Sequence, residues 1–153
     1  MKRFAGILVM IMCVMASSIC FAEVSYDRVA VGGITPGASI DYVQSIYGAP
    51  DGSRSGPHPL WKGTIIEYQY GNSLFITFRE GYAINVVVTR NNGIGTPDGV
   101  TVGMNASVIT DIYGEPDRVF SNQNYVYNDE TSYALVFKTQ NGKIISVGCG
   151  SFD

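Results

Sequence analysis

Between residues 64 and 90, apolar and polar positions alternate in three runs, Thr64 to Tyr70, Ser73 to Arg79 and Tyr82 to Arg90, broken at Gly71-Asn72 and Glu80-Gly81. A period of two interrupted by turn residues predicts antiparallel strands. The pattern returns as Asn124 to Asn128, Ser132 to Lys138 and Lys143 to Cys149, with breaks at Asp129-Glu130 and Asn141-Gly142. Ahead of each triplet the spacing becomes helical: Val43, Ile46 and Tyr47, then Ile109, Ile112 and Tyr113, recur at i, i+3 and i+4. Ser39 and Asn105 stand as N-caps, and Gly48-Ala-Pro50 and Gly114-Glu-Pro116 as stops. Helices of about two turns are marginal alone, so each must lie on an apolar surface. On this reading Ile46 and Ile112 are core positions, each costing about 2 to 5 kcal/mol on truncation to Ala.

The two halves resemble each other. Residues 33–51 align with residues 99–117 at an offset of 66, with eight of nineteen positions identical. One helix and three strands bury too little surface to stand alone, so the halves are expected to share a sheet. The predicted fold is α+β: two α-β-β-β repeats forming a shared antiparallel sheet with short helices on one face. The expected segments are a leader at 1–22, an N-terminal segment at 23–32 with a short strand near Arg28 to Val31, a first repeat at 33–90, a Gly/Asn/Pro-rich connection at 91–98 and a second repeat at 99–153.

Composition adds where such a chain works. Lys2 and Arg3 precede an uncharged run from Phe4 to Ala16, and Cys20-Phe-Ala22 places small side chains at −3 and −1. This is the pattern of a cleaved secretory signal, too short for the ~20 residues of a spanning helix. Ile19 before Cys20 and Met12 before Cys13 argue against lipidation, so no stable membrane anchor is expected after cleavage. Removing residues 1–22 leaves 153 − 22 = 131 residues with a charge of 8 − 13 = −5 and one thiol, Cys149, so stability must come from packing and not from disulfides. A net charge of −3 for the whole 153 residues, with no basic stripe, argues against a nucleic-acid partner.

Enzymatic chemistry is poorly supplied. His58 is the only histidine, and no nucleophile elbow, zinc helix or phosphate loop occurs. Cys149 aligns with Val88 and reads as a buried small hydrophobe. Asp51 and Asp117, each one residue past a Gly-x-Pro, read as turn carboxylates accepting backbone N–H groups, and Tyr68, Tyr70, Tyr125 and Tyr127 as core or rim. No catalytic residue, metal ligand or cofactor is assigned.

Two features point to binding. The Pro/Gly-rich stretch from Gly52 to Gly63 holds His58 and the only tryptophan, Trp61, where the second half manages with Arg118 to Gln123. In addition, if Leu74, Ile76 and Phe78 and likewise Tyr133, Leu135 and Phe137 face the helices, alternation sends Phe75, Thr77, Arg79, Asn85, Val87, Ala134, Val136, Lys138, Ile144 and Ser146 to the other side. That face is unusually apolar for one open to water, which marks an interaction surface. The candidate binding residues are Trp61, His58, Phe75, Thr77, Arg79, Val87, Val136 and Lys138.

The succession Gly-x-Ser/Asn, short helix, Tyr-Gly-x-Pro-Asp, Tyr-x-Tyr and a Gly-turned hairpin, from Gly33 to Cys149, resembles the small outer-membrane assembly lipoprotein (SmpA/OmlA) domain. The resemblance implies the fold of the β-lactamase inhibitor protein, a tandem of two such units. The chain departs from the first in having two copies and no lipidation cysteine, and from the second in lacking disulfides. The expectation is an exported, non-enzymatic module that binds a protein partner in the cell envelope. The alternatives are a glycan or peptidoglycan binder and a self-associating structural component, such as a homodimer. The leader pattern carries its own prediction: N-terminal sequencing of exported protein should begin at Glu23, and an intact Met1 would contradict it.

Overall fold

The computed structural model describes residues 24–57, 63–128 and 131–151. The expected leader, residues 1–22, and Glu23 lie outside this range. The alternating runs form strands because every second side chain finds the same apolar layer. The elements are α1 (Ile40–Tyr47), β1 (Gly52–Pro57), β2 (Thr64–Tyr70), β3 (Leu74–Arg79), β4 (Tyr82–Val88), α2 (Ser107–Tyr113), β5 (Arg118–Phe120), β6 (Asn124–Asn128), β7 (Tyr133–Gln140) and β8 (Lys143–Ser151). All eight strands join one antiparallel sheet in the order β1-β2-β3-β4-β8-β7-β6-β5.

This corrects the expected pair of α-β-β-β repeats. The chain is a single, mostly β sheet carrying two short helices, and four strands follow each helix. The unforeseen strands are β1, formed by Gly52–Pro57 in what reads as a loop, and β5, only three residues long. Neither shows hydrophobic alternation; both are edge strands held by main-chain pairing to β2 and β6.

The core lies on the helix side. One row of inward residues runs Tyr68, Ile76, Val86, Cys149, Leu135, Tyr127 across β2, β3, β4, β8, β7 and β6; a second runs Tyr70, Leu74, Val88, Val147, Phe137, Tyr125. The helices and the N-terminal segment cover these rows. Residues Tyr26–Arg28 form a 3-10 turn in place of the expected strand, followed by a bridge from Val31 to Ile34. Val24, Val29, Val31 and Ile34 are buried in the same core. Two bulges interrupt the alternation, between Thr77 and Phe78 against β4 and between Lys138 and Thr139 against β8. The second reverses the expected facing of Ile144, which is buried in the core.

Each helix is pinned through a tyrosine in its last turn. Tyr47 packs on Tyr70 with ring centroids 5.3 Å apart, and Tyr113 packs on Tyr127 and Phe137, each at 5.4 Å. Such pairs contribute about 0.5–1.5 kcal/mol each beyond their buried area. The Tyr70 hydroxyl donates to the carbonyl of Gly48 at 3.2 Å and that of Tyr127 to Gly114 at 2.9 Å, satisfying a carbonyl where each helix ends. Gly48 (φ 76°, ψ −160°) and Gly114 (φ 75°, ψ −154°) leave the helix through a backbone region essentially restricted to glycine. Tyr113 also donates to Asp98, which pairs with Arg28 at 3.0 Å, tying the N-terminal segment to α2.

Two helix expectations are corrected. Ser39 caps α1, accepting from the Tyr42 N–H at 3.2 Å, but Asn105 does not cap α2. Its side chain accepts from Lys143 Nζ at 2.7 Å instead, and the helix starts later, at Ser107. Ile46 and Ile112 are not core residues, being 46% and 37% exposed. At 100° per residue, Ile40, Val43 and Tyr47 fall within about 60° of one another, leaving Ile46 on the rim. Val43 and Ile109 are the fully buried members.

Burial also sets the acid–base behaviour of the core. Cys149 is fully buried and desolvation pushes its thiol up from 9 to about 12. Burial likewise raises Tyr47, Tyr70, Tyr113 and Tyr127 above the usual phenol value. Two predictions follow from this packing. Ile109→Ala should lower stability by about 2–5 kcal/mol, while Ile46→Ala stays within about 1 kcal/mol; denaturant midpoints check both, and equal losses would contradict the assigned faces. Because the folded thiol holds its proton more tightly than the unfolded one, its contribution is complete below pH 9 and is lost as pH rises towards 12. Native protein should therefore resist thiol reagents, and Cys149→Val should lessen the fall in stability above pH 9, to which the four buried tyrosines also contribute as pH approaches 10.

Candidate functional site

The opposite face of the sheet is made by the intervening residues. One outward row crosses every strand: Gly52, Gln69, Phe75, Val87, Gly148, Val136, Val126 and Arg118. From Phe75 to Val126 it spans four strand spacings, about 19 Å. Both helices and the N-terminal segment pack on the other side, so no described element covers this row.

At its centre lies a shallow cavity of about 180 Å³ lined by Asn85, Val87, Val136, Lys138, Ser146 and Gly148. Its cause is Gly148, which presents no side chain between Val87 and Val136. Beside it, Phe75 lines a second depression with Gly52, Ser53, Arg54, Glu67 and Gln69, where Arg54 and Glu67 are ion-paired.

The structure thus brings Val87, Val136 and Lys138 together and sets Phe75 next to Val87. Lys138 is exposed, while Val87, Val136 and Phe75 are partly open. Thr77 is corrected: although on the outward side it is 4% exposed, closed over by its neighbours, and has no surface for a partner. Arg79 is exposed at the end of β3, paired with Ile65 and Tyr82 and away from the cavity. His58 and Trp61 lie outside the described residues, in the connection between Pro57 and Thr64, the last pair of the β1–β2 ladder. Sequence reasoning missed the role of Gly148 and Gly150; two glycines at i and i+2 on one strand are the signal, since they strip one face of side chains.

Other chemistry is dispersed. Asp51 accepts from the Gly71 N–H at 2.6 Å and Asp117 from the Asn128 N–H at 2.7 Å, so both carboxylates fasten main chain and do not face each other as a pair. Among the described residues no group of three His, Cys, Asp or Glu side chains is placed to hold a metal, and no helix is long and apolar enough to cross a membrane.

No protein-family model and no curated protein matches the sequence. Among solved structures, a cysteine-rich secretory protein from Staphylococcus aureus Mu50 matches with a TM-score of 0.56 and 13% identity, over 84% of this chain and 47% of that one. An extracellular SCP-domain protein from Bacillus anthracis Ames matches with a TM-score of 0.48 and 8% identity, over 76% of this chain and 44% of that one. The chain therefore spans less than half the length of either protein. The resemblance to outer-membrane assembly lipoproteins and the β-lactamase inhibitor protein is corrected by this result: the structural neighbours are cysteine-rich secretory and SCP-domain proteins, and the likeness to the S. aureus structure is one of fold.

Proposed function

We propose that the chain is an exported, non-enzymatic module that binds a protein partner through the open face of its sheet. The observation that carries this reading is the apolar row Phe75, Val87 and Val136, recessed at Gly148 and left uncovered by the described elements. Removing such a row from water stabilises a complex by about 25 cal/mol per Å², and a recess that accepts a side chain concentrates that gain. The leader pattern and the secretory and extracellular names of the structural neighbours support export. The S. aureus protein carries this fold within a chain about twice as long, which supports a role as an accessory to another folded part. In this reading Trp61, in the stretch of sequence between β1 and β2, adds an aromatic anchor.

The test places a photo-crosslinking residue at Val136, and separately at Tyr42 on the helix side, in the exported protein. A discrete adduct from position 136 alone, identified by mass spectrometry, is expected. Phe75→Asp should abolish it and Trp61→Ala should weaken it at least tenfold, both with the melting temperature nearly unchanged. Adducts that survive in folded Phe75→Asp protein would overturn the reading, and early melting of that variant would assign Phe75 to stability. Recovery on insoluble cell wall in place of a protein adduct would favour glycan binding.

A further inference from the structure

The charges around the open face are segregated. Of the charged strand residues that the register directs outward, Arg54, Arg79, Arg118, Lys138 and Lys143 are basic and only Glu67 is acidic. Glu67 is already engaged by Arg54. Arg118 donates to the neutral side chain of Asn128 at 3.4 Å, and among the described residues none of Arg118, Arg79 and Lys138 has a carboxylate partner. The chain as a whole carries a net charge of −3, so a basic face is the reverse of what its composition would distribute by chance. Of the other described acids, Asp41 and Asp111 lie on the helices, Asp27 in the 3-10 turn, Asp98 against Arg28, Asp51 and Asp117 on main-chain N–H groups, Glu115 just past α2, and Glu80 in the turn that follows Arg79.

Resting on the sheet-face reading, we infer that the occupant is an acidic polypeptide segment with one large apolar side chain, which sits over Gly148 between Val87 and Val136 while its carboxylates meet Lys138 and the flanking arginines. Complementary charge of this kind speeds encounter and selects among partners, and salt weakens it. A membrane surface fits less well. Inserting into lipid requires apolar groups that project, whereas Val87, Val136 and Gly148 line a depression. The basic groups are moreover spread along the whole width of the face, from β1 to β5, and not clustered at one point.

The experiment selects binders from a random dodecapeptide library on the immobilised mature protein and measures the enriched peptides by fluorescence anisotropy. Enrichment in Asp and Glu around a single large apolar residue is expected. Binding should weaken at least tenfold with Lys138→Glu and further with Arg79→Glu, and should also weaken between 50 and 500 mM salt. Both substitutions are at exposed positions, and an unchanged melting temperature confirms that the fold is intact. Enrichment of basic or neutral peptides, absence of any acidic consensus, or affinity indifferent to Lys138→Glu would overturn the inference. So would tighter binding to phosphatidylglycerol vesicles than to any peptide, or self-association in sedimentation abolished by the same substitutions. If Phe75→Asp removes the crosslinked partner while Lys138→Glu does not, the sheet-face reading stands and the acidic occupant fails. If Phe75→Asp leaves the partner bound, both fall.

Discussion

The close approach of β4 to β8 is the constraint on which the rest of the molecule depends. A Cβ atom at Gly150 would stand 2.6 Å from the Ile84 carbonyl and 2.8 Å from Asn85 Oδ1, and one at Gly148 would stand 3.0 Å from the Val86 carbonyl. The obstacles are largely main chain, which cannot swing aside as a flexible side chain can. A side chain at Gly150 would force main chain apart, and one at Gly148 would crowd it, where the two groups of four strands meet as neighbours and become one sheet. The inward rows then run unbroken through the junction, from Ile76 and Val86 to Cys149 and Leu135. The helices, the buried tyrosines and the N-terminal segment all rest on that continuous layer.

The same glycines shape the two faces oppositely. Inward, Val147 and Cys149 alternate with them and complete the core, and Cys149 sits where its thiol is kept protonated by burial. Outward, their missing side chains leave the recess that the proposed partner would fill. The feature that permits assembly of the sheet is therefore also what hollows its free surface. A side chain at Gly148 would change packing and recognition together, so the two roles are not separable at this residue.

Much of this was legible in the chain. Alternation located six strands, β2 to β4 and β6 to β8, because their inward residues share an apolar layer that leaves a period of two in the sequence. Ser39, Gly48 and Gly114 marked helix limits through local backbone chemistry. What could not be read depended on partners distant in sequence. β1 is glycine, serine and proline with one arginine, and becomes a strand only because β2 offers it hydrogen bonds. The facing of Ile144 turns on a bulge, and the exposure of Ile46 on which side of α1 meets the sheet. Short motifs around the helices suggested a family resemblance, but such motifs encode caps and turns that many folds need. For the site, alternation nominated Val87, Val136 and Phe75. It could not show that Thr77 is closed over or that Gly148 makes a hollow.

The strand at the centre of the sheet is the last one in sequence. β8 lies between β4 and β7, so the residues that join the two groups of strands leave a ribosome or a translocation channel after everything they must join. Until β8 arrives, β4 and β7 present unpaired edges, and the pairing of Val86 with Cys149 closes a loop of some sixty residues. Closure of the sheet is thus deferred until β8 is available, and the two groups of strands become one layer only then.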